Sequence, residues 1–404
     1  MKFAILSYEY PPETGFGGIG TYSFYQARAL VKLGHQVRVI AGSTRTGLHR
    51  SEHDGVQVTR IKREGWLSRL LEDVQAREWW WLTNRLAGAA NAYGALRHEM
   101  EREHFDFVEM PECGADGLVV ATLLPLPTAI KFHSPARLIM GMYQVRRADR
   151  ELTSLVEQMA INQADVLTSC SQFLADEVRE KMGVSRPVEV IPNGIDLELF
   201  DRDDGIDVRE KFGLPTDGIL IFFANRIEER KGSHLVHDMV FHLLERYQDV
   251  HFVMAGEDGF GYMENDILPK IEEKDYSSRF HYLGKLDLAE VRAVLKATSI
   301  FLIPSLWENC PYSCIEAMAA GRAIVSSDCG GMPELIADEV NGLLARNDDS
   351  QSFIAALERM IEDPELRRTL GSKARETVEE RLTDVAIARR AAAFYEAHLN
   401  ATKG

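Results

Sequence analysis

Residues 301–334 read FLIPSLWENCPYSCIEAMAAGRAIVSSDCGGMPE. Five residues, Ile300 to Pro304, form an apolar run that predicts a buried strand. A polar loop holding Glu308 follows, then a helical stretch holding Glu316, then a second strand over Ala323 to Ser327. Pro311 fits the first turn of that helix, where a missing N–H is no loss. Amides around Asn309, Cys310, Tyr312 and Ser313 then make a positive helix terminus suited to an anion such as a diphosphate. Glu308 precedes the helix and Glu316 lies about one and a half turns inside it, so the two carboxylates need not share a face. One could accept hydrogen bonds from hydroxyls at one end of a ligand, and the other at its far end. Taken alone, two glutamates at this spacing also fit a solvated helix face.

The stretch resembles the donor-site signature of family 4 retaining glycosyltransferases. The residues that carry the resemblance are the Pro304-Ser305 strand end, Glu308, the Glu316-Ala-Met-Ala phrase, Gly321-x-x-x-Val325 and the pair Gly330-Gly331. The resemblance implies an α/β chain of GT-B type: two Rossmann-like, doubly wound domains facing a central cleft. It also implies that Glu308 contacts the donor sugar and Glu316 the ribose hydroxyls. Where the family often has Phe-Gly, this chain has Cys310-Pro311, and the proline withdraws one amide from the donor.

At 404 residues the chain exceeds one ordinary domain, so two are expected. Apolar residues make up 45%, which indicates a globular chain with ample core. There is no run of about 18 uncharged apolar residues to cross a membrane. The start, Met-Lys-Phe-Ala-Ile-Leu-Ser, enters a strand without a signal-peptide cleavage pattern, and five cysteines at irregular spacing fit reduced thiols; both point to a cytoplasmic enzyme. The net charge of −16 is uneven: residues 1–190 hold 22 Lys+Arg against 23 Asp+Glu, leaving 24 against 39 for the remainder. Broad nucleic-acid binding is thereby disfavoured, while the near-neutral first half could approach an anionic acceptor or a membrane surface.

From the N-terminus, residues 2–7 form a strand. The glycine-rich loop SYEYPPETGFGGIG follows, then a helix over Thr21 to Leu33 and a strand over Gln36 to Ala41. Gly15, Gly17 and Gly20 match G-x-G-x-x-G by letter. A dinucleotide site wants an acid after the second strand, and Ala41-Gly42-Ser43-Thr44 has none. The resemblance instead implies that Gly17 and Gly18 let the loop backbone approach donor phosphates and acceptor. Residues 64–104 read as helical. Trp79-Trp80-Trp81 cannot all face one core, so at least one is exposed or lines a cleft.

The strand Phe105 to Met110 ends at Glu112 and the strand Ala129 to His133 at Ser134, positions where ligands gather in open parallel sheets. Glu112, Ser134 and Arg137 are candidate acceptor contacts. Arg137, Arg146, Arg147 and Arg150 are either a solvated face or an attractor of anions. The resemblance implies that His133 faces the donor sugar.

The turn Pro192-Asn193-Gly194 marks the boundary, giving domains over 1–190 and 196–383, with the terminal 384–404 helix crossing back onto the first. The second domain restarts at Ile219 to Ala224, followed by NRIEERKGSHLV. Here Arg226 and Lys231 resemble the family's phosphate clamp, with Asn225 in place of a glycine. A diphosphate on an acidic domain demands local cations of this kind. Gly256 lies beside the nucleotide's expected place, and the FHYLGK stretch, through Leu283, is expected to offer backbone contacts to the base.

The expected activity is that of a retaining hexosyltransferase, moving a sugar from a nucleotide-sugar to a hydroxyl acceptor in polysaccharide, glycolipid or small-metabolite glycosylation. A UDP-sugar is favoured over GDP-mannose. His133, Arg226, Lys231 and Glu308 carry the catalytic expectation, with no metal and no cofactor beyond the nucleotide-sugar substrate. Rivals are a non-catalytic nucleotide-sugar binder, a GT-B-like epimerase or phosphorylase, and an NAD-dependent oxidoreductase.

Overall fold

A computed structural model describes residues 1–15, 17–62 and 79–403. The chain divides into two compact units, residues 1–196 with 384–404, and residues 197–383.

The first unit is built on an eight-stranded sheet. Its strands are β1 (Lys2–Ser7), β2 (Gln36–Ser43), β3 (Leu48–His53), β4 (Val56–Lys62), β5 (Phe107–Pro111), β6 (Thr128–Phe132), β7 (Val166–Ser169) and β8 (Val188–Val190), in the order β3-β4-β2-β1-β5-β6-β7-β8. All pairs are parallel except β3 with β4. That antiparallel edge strand went unread in the sequence because LHRSEH is polar and mostly exposed. Helices α1 (Gly18–Lys32), α2 (Trp80–Met100), α3 (Leu118–Leu123), α4 (Ala136–Ile139), α5 (Arg147–Gln163) and α6 (Gln172–Met182) join the strands. Helix α1 begins three residues before the expected Thr21, with Gly17 at its N-cap. Of the helix expected over 64–104, residues 64–78 lie outside the described residues.

The C-terminal helix (Asp384–Lys403) belongs to this first unit. Its Ile387, Ala388, Ala391 and Tyr395 join Phe3, Ile5, Val39 and Phe107 in one core. The Tyr395 ring stacks on Phe107 at 4.4 Å, and its hydroxyl donates to Glu109 Oε2 at 2.7 Å. Both chain crossings are tied to one cation: Lys32 Nζ lies 2.7 Å from Asp196 and 3.3 Å from Asp384. Gly194 is needed there, since a Cβ would come within 3.0 Å of the Asp384 backbone.

The second unit has a six-stranded parallel sheet of β9 (Ile219–Ala224), β10 (Val250–Ala255), β11 (Phe280–Tyr282), β12 (Ile300–Ile303), β13 (Ala323–Ser327) and β14 (Leu343–Ala345), ordered β11-β10-β9-β12-β13-β14. Strands β9 and β12 are near-continuous apolar runs, as a sheet covered on both faces requires. Helices α7 (Ser233–Arg246) and α8 (Tyr312–Ala319) follow those two strands. Pro311 sits at the N-cap of α8 rather than in its first turn. Residues 197–217 hold two short helices, Leu197–Asp201 and Val208–Phe212, in what the sequence suggested was a turn-rich entry.

Candidate active site

In the second sheet the chain runs outward from β9 through β10 to β11, then returns to β12 on the other side of β9. The carboxyl ends of β9 and β12 therefore form a topological switch point, where adjacent loops diverge and leave a crevice. The loop after β9 holds Arg226 and Lys231; the loop after β12 holds Glu308. Sequence-remote residues are thus brought together by strand order alone.

Lys231 Nζ is hydrogen-bonded to Glu308 Oε1, and both residues are buried. Burial lowers the lysine's pKa, while Glu308 acts against that shift. Burial would raise the Glu308 carboxyl, but Lys231 and Arg230 outweigh it and hold the group below its ordinary value. Arg226, largely exposed, lies 3.2 Å from Glu228, which is also 3.1 Å from Arg230. Three cations thus meet two carboxylates at this crevice, leaving a net positive place in a unit that is acidic overall.

The loops are held rigidly. Leu306 N donates to Arg230 O at 2.9 Å, and Arg230 Nη1 to Trp307 O at 3.2 Å. Gly331 N donates to Glu308 O at 2.9 Å, which ties the paired glycine to the carboxylate's own backbone. Gly232, at φ +76°, brings Lys231 against the neighbouring strand end, since any Cβ would lie 2.0 Å from Pro304 O. Gly256, at φ +150°, is packed against Asn225 O in the same manner.

Helix α8 starts its internal ladder with Cys314 N donating to Pro311 O at 3.2 Å. The amides of Tyr312 and Ser313 precede that ladder at the positive end of the helix. Asn309, Cys310 and Tyr312 are buried, whereas Pro311 and Ser313 are partly exposed. Glu316 is also partly exposed, and its carboxylate makes no hydrogen bond or ion pair among the described residues. Its surroundings push the carboxyl up to about 7 by burial, with Arg292 acting against the shift. Leu283 has already given its amide to Met254 O at 2.8 Å, so its carbonyl is the backbone group left to meet a base.

The first unit has its own switch point between β1 and β5. Gly15, Gly17 and Gly20 wrap the Glu9 side chain there: a Cβ on Gly17 would lie 2.4 Å from Glu9 Oε2. A carboxylate thus fills the place where a dinucleotide pyrophosphate would need amides, which gives a physical reason against the G-x-G-x-x-G reading. Gly18 faces open space. The end of β2, without an acid in its own sequence, receives one from the loop: Glu13 accepts from Ser43 Oγ at 2.7 Å and Thr44 N at 2.8 Å.

His133 follows β6, buried, with the Tyr22 ring 4.9 Å away. Burial and the nearby Lys131 hold its pKa well below the usual value, so the imidazole is neutral. Glu112 is placed differently from its expected role as an acceptor contact. It is fully buried, accepting from His133 N at 3.0 Å and Ser134 N at 2.5 Å. Glu157 of α5, equally buried, accepts from Ala136 N at 2.7 Å and Gly114 N at 3.4 Å. Two carboxylates therefore clamp the 133–136 loop, and Glu112 positions His133 instead of meeting a ligand. Ser134 is partly exposed; Arg137 is exposed, its Nε donating to Lys181 O at 3.1 Å.

Burial and the neighbouring Glu157 raise Glu112 to about 8, and burial raises Glu157 to about 7. Both values exceed that of an exposed carboxyl, so the folded chain holds protons the unfolded chain has released. Their contribution to stability declines as pH rises from about 4.5 and levels off above about 7 for Glu157 and 8 for Glu112. Glu112→Gln is expected to fold with little loss and to flatten the melting temperature between pH 7 and 8. Glu112→Ala strands two amides and loses about 1–3 kcal/mol. Thermal melts across that range check both; an unaltered slope in Glu112→Gln would contradict the assignment.

Sequence reasoning passed over Glu228, Arg230, Glu9 and Glu157. The first two stand inside the NRIEERKG stretch, where only spatial pairing distinguishes them from surface charge. No sequence signal marked Glu9 or Glu157.

Two Rossmann-like units, one bearing a cationic clamp and a helix terminus at its switch point, define the GT-B class of sugar-transferring enzymes. The glycosyl transferases group 1 model matches residues 205–377 and the glycosyltransferase family 4 model residues 16–199. The chain belongs to the family 4 glycosyltransferases. The 2-deoxystreptamine glucosyltransferase of Streptomyces kanamyceticus is 26% identical over 352 residues, covering 84% of this chain and 88% of that protein. Sucrose-phosphate synthase from Thermosynechococcus elongatus superposes with a TM-score of 0.79 at 20% identity, covering 99% of each chain. Anabaena HepE in complex with UDP superposes with a TM-score of 0.72 at 18% identity, covering 98% of this chain and 100% of that one.

Proposed function

We propose that the enzyme transfers a hexose from a UDP-sugar to a hydroxyl acceptor with retention at the anomeric carbon. The observation that carries this reading is the charge cluster of Arg226, Arg230, Lys231, Glu228 and Glu308 at the β9/β12 switch point, beside the α8 terminus. Such a place suits the doubly charged diphosphate of the donor. As the bond from the anomeric carbon to the β-phosphate oxygen breaks, negative charge grows on that phosphate. Lys231, Arg226 and the α8 amides stabilise it, an electrostatic contribution that needs no rearrangement during reaction. The acceptor oxygen bonds to the anomeric carbon from the same face, and its proton passes to the departing phosphate. Glu308 is assigned hydroxyls of the donor sugar, and Glu316 the ribose. The UDP complex of the Anabaena neighbour and the glucosyl transfer in the Streptomyces relative's name support the donor choice.

The test is thermal-shift stabilisation by UDP, GDP, ADP and their sugar conjugates, with NAD(H) as control. UDP and a UDP-hexose are expected to stabilise most. Stabilisation by NAD(H) alone would overturn the reading, and donor binding without any release of nucleotide to acceptors would mark a binder instead.

Glu316→Ala is expected to weaken donor binding by about 1.5–3 kcal/mol, roughly ten- to hundredfold. Wild-type affinity should also fall as pH drops below about 7, because only the ionised carboxylate accepts from both ribose hydroxyls. Calorimetric titration at two pH values checks this; a variant with unchanged affinity removes Glu316 from the ribose.

A further inference from the structure

We infer that the outer face of α5 in the first unit docks on an anionic lipid surface. Helix α5 is apolar on two sides. Its inner side buries Thr153, Val156, Glu157, Ala160 and Ile161. Its outer side presents Leu152, Leu155 and Met159, exposed at 38%, 53% and 49%. At about 100° per residue these three fall within a ~60° arc, making a continuous stripe. Among the described residues, the unit's own packing does not call for an apolar stripe there, because the inner side already supplies the core contact.

The neighbourhood extends the stripe. Among the described residues eight large apolar side chains are exposed, and six stand on α5 or on elements around it. Leu123, 61% exposed, ends α3, which packs on α5. Met142 lies in the turn leading into α5, where Gly141 approaches Arg150. Trp80, 51% exposed, stands at the start of α2, whose Trp81 and Leu82 amides are capped by Asp149 of α5 at 3.0 and 2.9 Å. An amphipathic indole beside an apolar stripe suits the boundary between headgroups and acyl chains.

The charge at the N-terminal end of the helix, one to two turns before the stripe, selects the occupant. Arg137, Arg146 and Arg147 are exposed and Arg150 partly so, all on α5 or the segment before it. The acids of α5 do not balance them: Asp149 is buried capping α2, Glu157 is buried on the 133–136 loop, and only Glu151 is exposed, paired with Arg150 at 3.3 Å. A second copy of the chain would bring these arginines together across a two-fold axis, whereas anionic headgroups complement them. The same segment follows His133 directly, through α4. The inference stands on this surface and does not depend on the donor assignment.

The test is flotation of the full chain with vesicles of phosphatidylcholine alone or mixed with phosphatidylglycerol, at low and high salt. Binding is expected only to the mixed vesicles, released by salt. Arg146→Glu/Arg147→Glu should lower partitioning ~25-fold or more, at about fivefold per arginine. Leu155→Glu/Met159→Glu should lower it at least ~10-fold. Both variants should keep the wild-type melting temperature and the wild-type thermal shift with UDP. Should the apolar variant fail to fold, quenching of wild-type tryptophan fluorescence by brominated phosphatidylglycerol, reduced in Trp80→Phe, reads the same contact. No binding to mixed vesicles overturns the inference, as does binding that the variants do not weaken. A dimer in sedimentation that Leu155→Glu/Met159→Glu dissociates would overturn it in favour of self-association.

Discussion

Lys231→Ala is expected to lower turnover by at least ~10²–10³-fold, the loss typical of removing one donor that stabilises transition-state charge. The same change should destabilise the fold, because Glu308 would remain buried without its cation. Breaking a buried pair from one side typically loses about 3–5 kcal/mol. In the wild type Glu308 has its pKa held below the ordinary carboxyl value, so the pair's contribution is present above that value and is lost as pH falls through the folded-state pKa. The alanine variant should lack this acid-side loss. Two effects are thereby superimposed, and a second variant separates them. Lys231→Met/Glu308→Gln removes both charges and should recover most of the stability while remaining inactive. Steady-state kinetics and chemical denaturation of the two variants decide the matter. Normal turnover in Lys231→Ala would remove the lysine from the chemistry, and equal stability of both variants would show that the pair does not hold the β9 and β12 loops.

Gly256→Ala is expected to be the most damaging single methyl in the second unit. The residue has φ +150°, and a Cβ would lie 1.8 Å from Asn225 O and 2.6 Å from its carbonyl carbon. Those are backbone atoms, so no rotamer change relieves the clash. The surrounding ladder cannot yield either: Asn225 N donates to Ala255 O and Ile227 N to Glu257 O, both at 3.0 Å. A loss of about 4 kcal/mol or more is expected, in the range reserved for core or backbone disruption. Because the displaced backbone leads straight into Arg226, UDP should also cease to stabilise whatever folded protein remains. Gly259→Ala, with nothing within 4 Å of its Cβ, is the control and should fall within about ±0.5 kcal/mol. Thermal melts with and without UDP compare them; similar melts would show that the two loops are not packed backbone to backbone.

In the second unit the placement of the candidate residues was the more legible. Glu308, Glu316, Arg226 and Lys231 stand in short phrases where strand, loop and helix alternate, and each phrase reveals which residues follow a strand end. Pro311 shows the grain of that reading: its helix was found, but its place relative to the cap was not, because propensity sets an element's existence more firmly than its boundary. The first unit was harder. Glu112 has the same address as a ligand contact, one residue beyond a strand end, yet its carboxylate is spent on the amides of a loop 21 positions away.

By itself, then, the amino-acid order determined the alternation of apolar strands with helices, the net acidity and the local phrases of the second unit. These rest on short-range physics: periodicity, turn residues and the fixed geometry of a helix start. Only the tertiary structure decided which phrases meet. Strand order put β12 beside β9 and so joined Lys231 to Glu308. It drew Glu9 into the glycine loop, and it assigned Glu112 and Glu157 to positioning rather than binding. The reason is that a carboxylate's role follows from what surrounds it, and those surroundings come from chain segments far away in sequence.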